Sequence, residues 1–166
     1  MNFQFYFEKL EHSDNFKDFV KENKDAFLCS GFFSVDKRGQ KDVQNIDYFV
    51  PSLNKMFSFK INEDVEKVPV EDFGDKFKPE KISEDINFEF EEIEDMIQER
   101  MNQDKIKNKI EKLLYSLQAK EGKNYVLGTV FISGLGLLKV RIDLKEKRIV
   151  DFEKKSLLDM MKIIKK

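Results

Sequence analysis

The fold is decided by residues 91–153, EEIEDMIQERMNQDKIKNKIEKLLYSLQAKEGKNYVLGTVFISGLGLLKVRIDLKEKRIVDFE. From Ile93 to Leu117, apolar side chains recur every three or four residues, which is the spacing of one face of an amphipathic helix. Acidic side chains come early in this run and basic ones later, as the helix dipole favours. Gly122 stands where the end of such a helix needs positive φ. The pattern predicts a long helix over about 91–120, with a bend or break at 102–104, where the apolar stripe skips.

After Gly122 the apolar period changes to two residues, the period of a β-strand. Both faces of the segment from Tyr125 to Ile132 are largely apolar, and Ser133 and Gly134 form a turn signal. Residues 138–144 then alternate between apolar and mainly charged side chains, and a second turn at 145–147 leads to a third strand at 148–152. The sequence predicts a three-stranded antiparallel meander after the helix.

A strand that is apolar on both faces has to be shielded from water on both sides of the sheet. The long helix can cover one side of the sheet, so another element or a partner has to cover the other. We expect that second side to carry a partner surface formed by Tyr125, Val126, Val130 and Ile132.

The N-terminal half shows a similar order of elements. Alternating phenylalanines predict a strand over 2–8, and Ser13 is a candidate N-cap for a helix that reaches about Lys24. Three further strands are predicted, at 26–35, 46–50 and 57–61. The polar stretch 62–84 is predicted to be a linker that contains one short strand-like piece at 65–70. Residues 85–90 alternate again and predict the strand that precedes the long helix.

These elements predict an α+β fold with two βαβββ pseudo-repeats, residues 1–61 and 85–153, packed as a single unit over 1–166. A short C-terminal helix at 156–165 is expected to dock on the uncovered face of the sheet through Leu157, Leu158, Met161 and Ile164. This order is similar to the cystatin-like or PepSY-like arrangement. That resemblance implies a helix lying across an antiparallel sheet, and it carries over no residue and no activity.

Composition limits the class of protein. The chain has 166 residues, of which 40% are hydrophobic and 37% charged, which is typical of a globular protein rather than a disordered one. Cys29 has no second cysteine to pair with, and the N-terminus does not resemble a signal peptide, so a cytoplasmic location is expected. No window approaches the apolar length of a membrane span.

Charge is distributed unevenly along the chain. Residues 1–100 hold 14 basic and 24 acidic side chains, whereas residues 101–166 hold 16 basic and 8 acidic. Such asymmetry indicates either an anionic partner for the basic part or neutralisation of one half by the other within the fold. The residues predicted to form an anionic-ligand surface are Lys107, Lys109, Lys112, Lys139, Arg141 and Arg148.

The sequence contains no recognisable catalytic motif. His12 and Cys29 are single, so a zinc site of the usual nitrogen and sulfur ligands is not expected within one chain. The carboxylates of Glu92, Asp95 and Glu99 would share one face of a helix, but we interpret them as a solvated helix start. We therefore expect no cofactor and hypothesise a non-enzymatic module that binds another protein or itself. Nucleic-acid binding by the basic half is the second hypothesis, and a carboxylate- or metal-dependent enzyme is the third.

Overall fold

Two short helices precede the first four strands of the protein, and a third helix precedes the last four. The computed structural model describes residues 2–70 and 78–158. The helices are α1 (Phe3–Glu11), α2 (Asp14–Glu22) and α3 (Phe90–Gln103). The strands are β1 (Phe27–Asp36), β2 (Gln44–Val50), β3 (Lys55–Ile61), β4 (Val65–Pro69), β5 (Ile110–Lys120), β6 (Lys123–Ile132), β7 (Gly136–Asp143) and β8 (Arg148–Ser156).

All eight strands belong to one antiparallel sheet with the order β4-β3-β2-β1-β5-β6-β7-β8. Each half of the chain contributes a four-stranded meander, and the two meanders join where β1 pairs with β5, for example Phe33 opposite Tyr115. The predicted α+β class with an antiparallel sheet is confirmed. The predicted βαβββ order is wrong in both halves, because each half starts with a helix and continues with four strands.

The first segment is a helix rather than the predicted strand over 2–8. Asn2 is its N-cap, and the Asn2 side-chain oxygen accepts a hydrogen bond from the Phe5 amide at 2.9 Å. Phe3, Phe7 and Leu10 are buried, whereas Phe5 is 50% exposed. The alternating phenylalanines suggested a period of two, but the buried set has the helical spacing of three and four residues.

The long helix predicted over 91–120 is present only in its first half. α3 ends at Gln103, and a Schellman motif closes it: the Ile106 amide donates to the Met101 carbonyl at 2.8 Å and the Lys105 amide to the Asn102 carbonyl at 3.1 Å. Lys105 has a φ of 59°, the left-handed conformation that the motif requires. The break lies where the apolar stripe skips, and Ile110 begins a strand instead.

Several local predictions are confirmed. The Ser13 hydroxyl accepts a hydrogen bond from the Phe16 amide and caps α2. The strands predicted at 26–35, 46–50 and 57–61 are β1, β2 and β3, and the meander 123–156 is present as β6 to β8.

The remaining local predictions have mixed outcomes. Residues 85–90 are not a strand but lead into α3, with the Phe88 and Phe90 rings buried. The predicted linker 62–84 contains β4, and its residues 71–77 lie outside the described residues. The predicted C-terminal helix is described only to Leu158, with Ser156 in β8, so Met161 and Ile164 lie outside the described residues as well.

The core between sheet and helices is built from aromatic rings. Phe33 of β1 contacts the Phe90 ring with centroids 5.0 Å apart, and Phe90 stacks on Tyr115 at 5.7 Å. On the other half of the sheet, Phe19 packs edge-on against Phe59 at 5.1 Å. Each such ring removes a large apolar area from water, which is the main stabilising contribution. This core fixes which face of the sheet is left for other contacts.

Candidate functional site

The three described helices pack against the same face of the sheet. Ile97 of α3 lies close to Gly128 of β6, where a Cβ would be 3.9 Å from Ile97 Cδ1. Phe19 of α2 contacts Phe59 of β3. None of α1, α2 and α3 lies on the other face, which we call the open face. The helical residues Leu157 and Leu158 follow β8, and Leu157 lines a cleft on this face. Because side chains alternate along a strand, every second residue of each strand lies on the open face.

The open face has an apolar centre at β1, β5 and β6. On this face the strand register places Phe32 opposite Ser116, and Ser116 opposite Leu127. The partly exposed apolar side chains of this centre are Phe32, Leu114, Tyr125, Leu127 and Phe131. Across β1, β5 and β6 each of these side chains lies opposite a polar one, so the apolar residues neighbour one another along diagonals. Partly exposed apolar side chains grouped in this way make the face a candidate interaction surface.

The predicted partner surface falls on the wrong side of β6. Val126 and Val130 are fully buried and Ile132 is 2% exposed, all three in the core beneath the helices. Tyr125 alone of the four lies on the open face. Both faces of β6 are apolar, so the sequence did not show which one the helix covers. The predicted partner surface did not include Leu127 and Phe131, which alternate with the buried residues of β6, or Phe32 and Leu114 on the neighbouring strands.

The predicted anionic-ligand surface is divided by the fold. Lys112, Lys139 and Arg141 lie on the open face, opposite Phe131, Thr129 and Leu127 respectively in the register. Lys107 and Lys109 lie in the segment between α3 and β5, and Arg148 lies at the other end of the sheet, opposite Asp143. The six basic residues therefore do not form one patch.

Acidic side chains accompany the basic ones on the open face. Arg141 Nη2 lies 2.5 Å from Asp151 Oδ2, and the Arg141 guanidinium lies over the Tyr125 ring at 5.2 Å from its centroid. Lys155 Nζ lies 3.7 Å from Glu153 Oε1. The face thus carries both signs of charge around its apolar centre, and Arg141 is already held by a carboxylate and a ring.

A polar cluster lies on the N-terminal half of the open face. The Ser30 hydroxyl donates to Asp47 Oδ2 at 2.6 Å, and Cys29 Sγ contacts the Asp47 carbonyl at 3.4 Å. Burial raises the pKa of the Asp47 carboxyl, and hydrogen bonds from Ser30 and Ser58 partly oppose that shift. Burial, with the charge of Asp47 adding to it, raises the pKa of the Cys29 thiol to about 12. Cys29 is therefore an unreactive thiol at neutral pH.

One end of the open face forms a cleft of about 480 Å³. Leu114, Phe131 and Leu157 line it, with Arg38 and Lys112 contributing positive charge. Leu135, at the rim, is 56% exposed and has a φ of 59°, a conformation that a leucine adopts only at a cost.

The carboxylates near the start of α3 make structural contacts. Glu94 pairs with Lys37 at 2.7 Å, and Glu92 lies 3.7 Å from Lys147 of the β7–β8 turn. Of these two pairs, Glu92–Lys147 joins the acidic part of the chain to the basic part, whereas Lys37–Glu94 lies within residues 1–100. Across residues 2–70 and 78–158, no group of three or more histidine, cysteine, aspartate or glutamate side chains is arranged to hold a metal ion.

Comparison with known proteins gives a fold relationship alone. No protein-family model matches the chain, and no curated protein matches it. The fold is similar to that of a candidate lipoprotein from Clostridium difficile 630, known from a crystal structure, with a TM-score of 0.59 and 16% sequence identity. The similarity covers 86% of this chain and 91% of that one. None of the described helices is long and apolar enough to cross a membrane.

Proposed function

We propose that this chain is a self-associating module in which a second copy packs on the open face. The observation that supports this most strongly is the partly exposed apolar centre formed by Phe32, Leu114, Tyr125, Leu127 and Phe131. In a two-fold dimer the same patch serves both partners, so a residue contacts its counterpart or a near neighbour.

The size of the open face suits a dimer. Strands lie about 4.8 Å apart and rise about 3.3 Å per residue. Eight strands of about eight residues on average therefore present roughly 1,000 Å². A stable protein–protein interface buries about 800 Å² on each partner. Two such faces packed together would resemble the inner layer of a β-sandwich.

The charges of the open face favour a second copy over a polyanion. Lys139 and Arg141 lie beside Asp151 and Glu153, so the face is self-complementary when a two-fold axis brings opposite signs together. A nucleic-acid backbone would instead lie beside the two carboxylates, and repulsion between each carboxylate and the phosphates would weaken its binding.

The edges of the sheet disfavour the other mode of β-sheet association, in which strands of two copies pair side by side. The edge strand β8 carries charged side chains at Arg148, Asp151 and Glu153 and has a register shift against β7. The edge strand β4 contains Glu66 and Pro69. Charges, irregular register and proline are the devices that block strand addition at an edge. Face-to-face packing remains as the route to a dimer.

The experiment is size-exclusion chromatography with light scattering at low and high salt, with absorbance recorded at 260 and 280 nm. A particle of twice 19.7 kDa that persists in high salt is expected, because apolar burial does not weaken as charges are screened. A monomer at all concentrations in both buffers overturns the proposal. An excess of 260 nm absorbance that salt removes would favour nucleic-acid binding instead.

We also propose a cytoplasmic location, which the buried free thiol of Cys29 supports. Cell fractionation tests it, with the chain expected in the soluble fraction. Recovery in the membrane fraction, and release from it by a lipase, would instead indicate a lipid-anchored protein.

A further inference from the structure

A second cleft lies on the helical side of the molecule, away from the open face. It has a volume of about 490 Å³ and lies between α1, α2 and the strand β2. Small-molecule sites in proteins span about 300–1,000 Å³. The cleft is therefore large enough for a metabolite-sized ligand, and its use is independent of the proposed dimer.

The floor of this cleft is aromatic. Phe16 and Tyr48 meet with ring centroids 5.0 Å apart, and their exposed fractions are 8% and 2%. Phe7 and Ala26 extend the apolar surface, and Val20, 41% exposed, forms part of the wall. Because the rings are already largely buried, the exposed side chain of Val20 offers most of the apolar area that a ligand could remove from water.

Charged groups of both signs surround that floor. Lys17 and Lys21 of α2 line one side and are one helical turn apart, so they present their ammonium groups on the same face of the helix. Glu11 and Glu84 also line the cleft. Within the described part of the chain, no ion pair shorter than 4.0 Å joins either lysine to either glutamate.

The carboxylate side of the cleft is organised around Tyr48. The Tyr48 hydroxyl donates a hydrogen bond to Glu84 Oε1 at 3.3 Å. Burial raises the pKa of Tyr48, and the charges of Glu84 and Glu11 raise it further. The Tyr48 hydroxyl therefore lies in a negative potential at the apolar floor, where a ligand ammonium would be stabilised.

We propose that this cleft binds an α-amino acid with a large apolar side chain. The ligand side chain lies on the rings of Phe16 and Tyr48, its ammonium faces Glu84, and its carboxylate faces Lys17 and Lys21. A zwitterion has a counter-charge for both charged sides, whereas a simple amine or a simple acid has one for a single side.

The first test is isothermal titration calorimetry on the full chain with four probes. L-phenylalanine carries all three features, phenethylamine lacks the carboxylate, 3-phenylpropanoate lacks the ammonium, and glycine lacks the apolar side chain. L-phenylalanine is expected to bind with a Kd of roughly 1 mM or below, and each truncated probe at least about tenfold more weakly. Absence of heat from L-phenylalanine up to about ten times that concentration, or equal affinity for all four probes, overturns the proposal.

Two variants then test which side chain binds the ligand ammonium and which binds the ligand carboxylate. Glu84→Gln keeps an oxygen acceptor for Tyr48 and is expected to weaken L-phenylalanine and phenethylamine by about tenfold while sparing 3-phenylpropanoate. Lys21→Gln is expected to weaken L-phenylalanine and 3-phenylpropanoate while sparing phenethylamine. Lys24→Gln, exposed and outside the cleft, is the matched control and should bind every probe as the unmodified chain does. If both variants bind as the control does, the cleft is not the site, provided urea unfolding shows all three equally stable.

Discussion

Val130 and Phe131 are neighbours in β6 and lie on opposite faces of the sheet, Val130 fully buried beneath the helices and Phe131 partly exposed on the open face. Val130→Asp places a carboxylate in the core without a partner, which should lower the free energy of unfolding by about 4 kcal/mol or more. That is a large part of the stability of a typical domain, about 5–15 kcal/mol. Urea unfolding monitored by circular dichroism measures this loss.

Phe131→Asp is the matched variant on the other face. The monomer should lose no more than about 1 kcal/mol, because water still solvates the new carboxylate. The dimer Kd should rise at least about tenfold, since a charge is then desolvated on each side of the two-fold interface. Sedimentation velocity over a range of concentrations measures this effect. Equal unfolding of both variants would show that Phe131 belongs to the core and would remove the open face as an interface.

Replacing Leu135 should stabilise the monomer and weaken the dimer. This leucine is the last of the three loop residues between β6 and β7, where Gly134 and Leu135 have φ values of 76° and 59°. Asparagine tolerates this conformation, so Leu135→Asn should raise the free energy of unfolding of the monomer by about 0.5–1 kcal/mol. The dimer Kd should rise by about tenfold because an apolar contact at the cleft is lost.

A matched control for Leu135 exists at the opposite end of the sheet. Glu121, with a φ of 53°, lies in the turn between β5 and β6 and is exposed. Glu121→Asn relieves the same backbone strain away from the cleft, so it should stabilise the monomer and leave the dimer Kd unchanged. A rise of the dimer Kd in Glu121→Asn as large as in Leu135→Asn would contradict a role for the leucine side chain.

The sequence predicted the three strands at 125–132, 138–144 and 148–152 well, because turns and charges mark β6, β7 and β8. Lys139 and Arg141 alternate with buried Val140 and Ile142, so the period of two is visible in β7. In β5 the buried residues Leu113, Tyr115 and Leu117 also alternate. There, however, Leu114 adds an apolar side chain on the open face, and the combined spacing imitates a helix.

The same ambiguity explains why the interaction surface was placed on the wrong face. Periodicity identifies the two faces of a strand but does not say which one the helices cover when both are apolar. Of the predicted partner surface, Val126, Val130 and Ile132 are buried, whereas Tyr125 lies on the open face together with Phe131. The packing of α3, with Ile97 close to Gly128 and Phe90 stacked on Tyr115, decides between the two faces, and these contacts join residues distant in sequence.

Cys29 should resist thiol reagents in the folded protein. It is 4% exposed, and burial raises the pKa of its thiol to about 12. With Ellman's reagent at pH 8, the folded chain should react at least about a hundredfold more slowly than the chain in urea, because both access and the thiolate fraction are reduced. Between pH 8 and pH 10 the reaction rate of the unfolded chain should level off, because its thiol becomes fully ionised. The reaction rate of the folded chain should still be increasing at pH 10. Equal rates in buffer and in urea would contradict the burial of Cys29.

Asp47→Asn should stabilise the protein in a pH-dependent way. Burial raises the pKa of Asp47 above its ordinary value of 3.8, so the folded state holds the proton more tightly than the unfolded chain does. As pH rises from below 3.8 through the raised pKa, ionisation of Asp47 removes stability from the folded state. Asparagine lacks that ionisation, and its carbonyl oxygen still accepts the Ser30 hydrogen bond.

The urea midpoint of Asp47→Asn should therefore exceed that of the unmodified chain at pH 7, and the two midpoints should converge at pH 3. Asp151→Asn serves as the comparison on the same face, because the Asp151 side chain is 62% exposed and its pair with Arg141 is solvated. Its midpoint should change little at either pH. A lower midpoint for Asp47→Asn at pH 7 would mean that the Ser30 and Ser58 hydrogen bonds outweigh the burial of the carboxylate, and that the charge of Asp47 contributes to the stability of the open face.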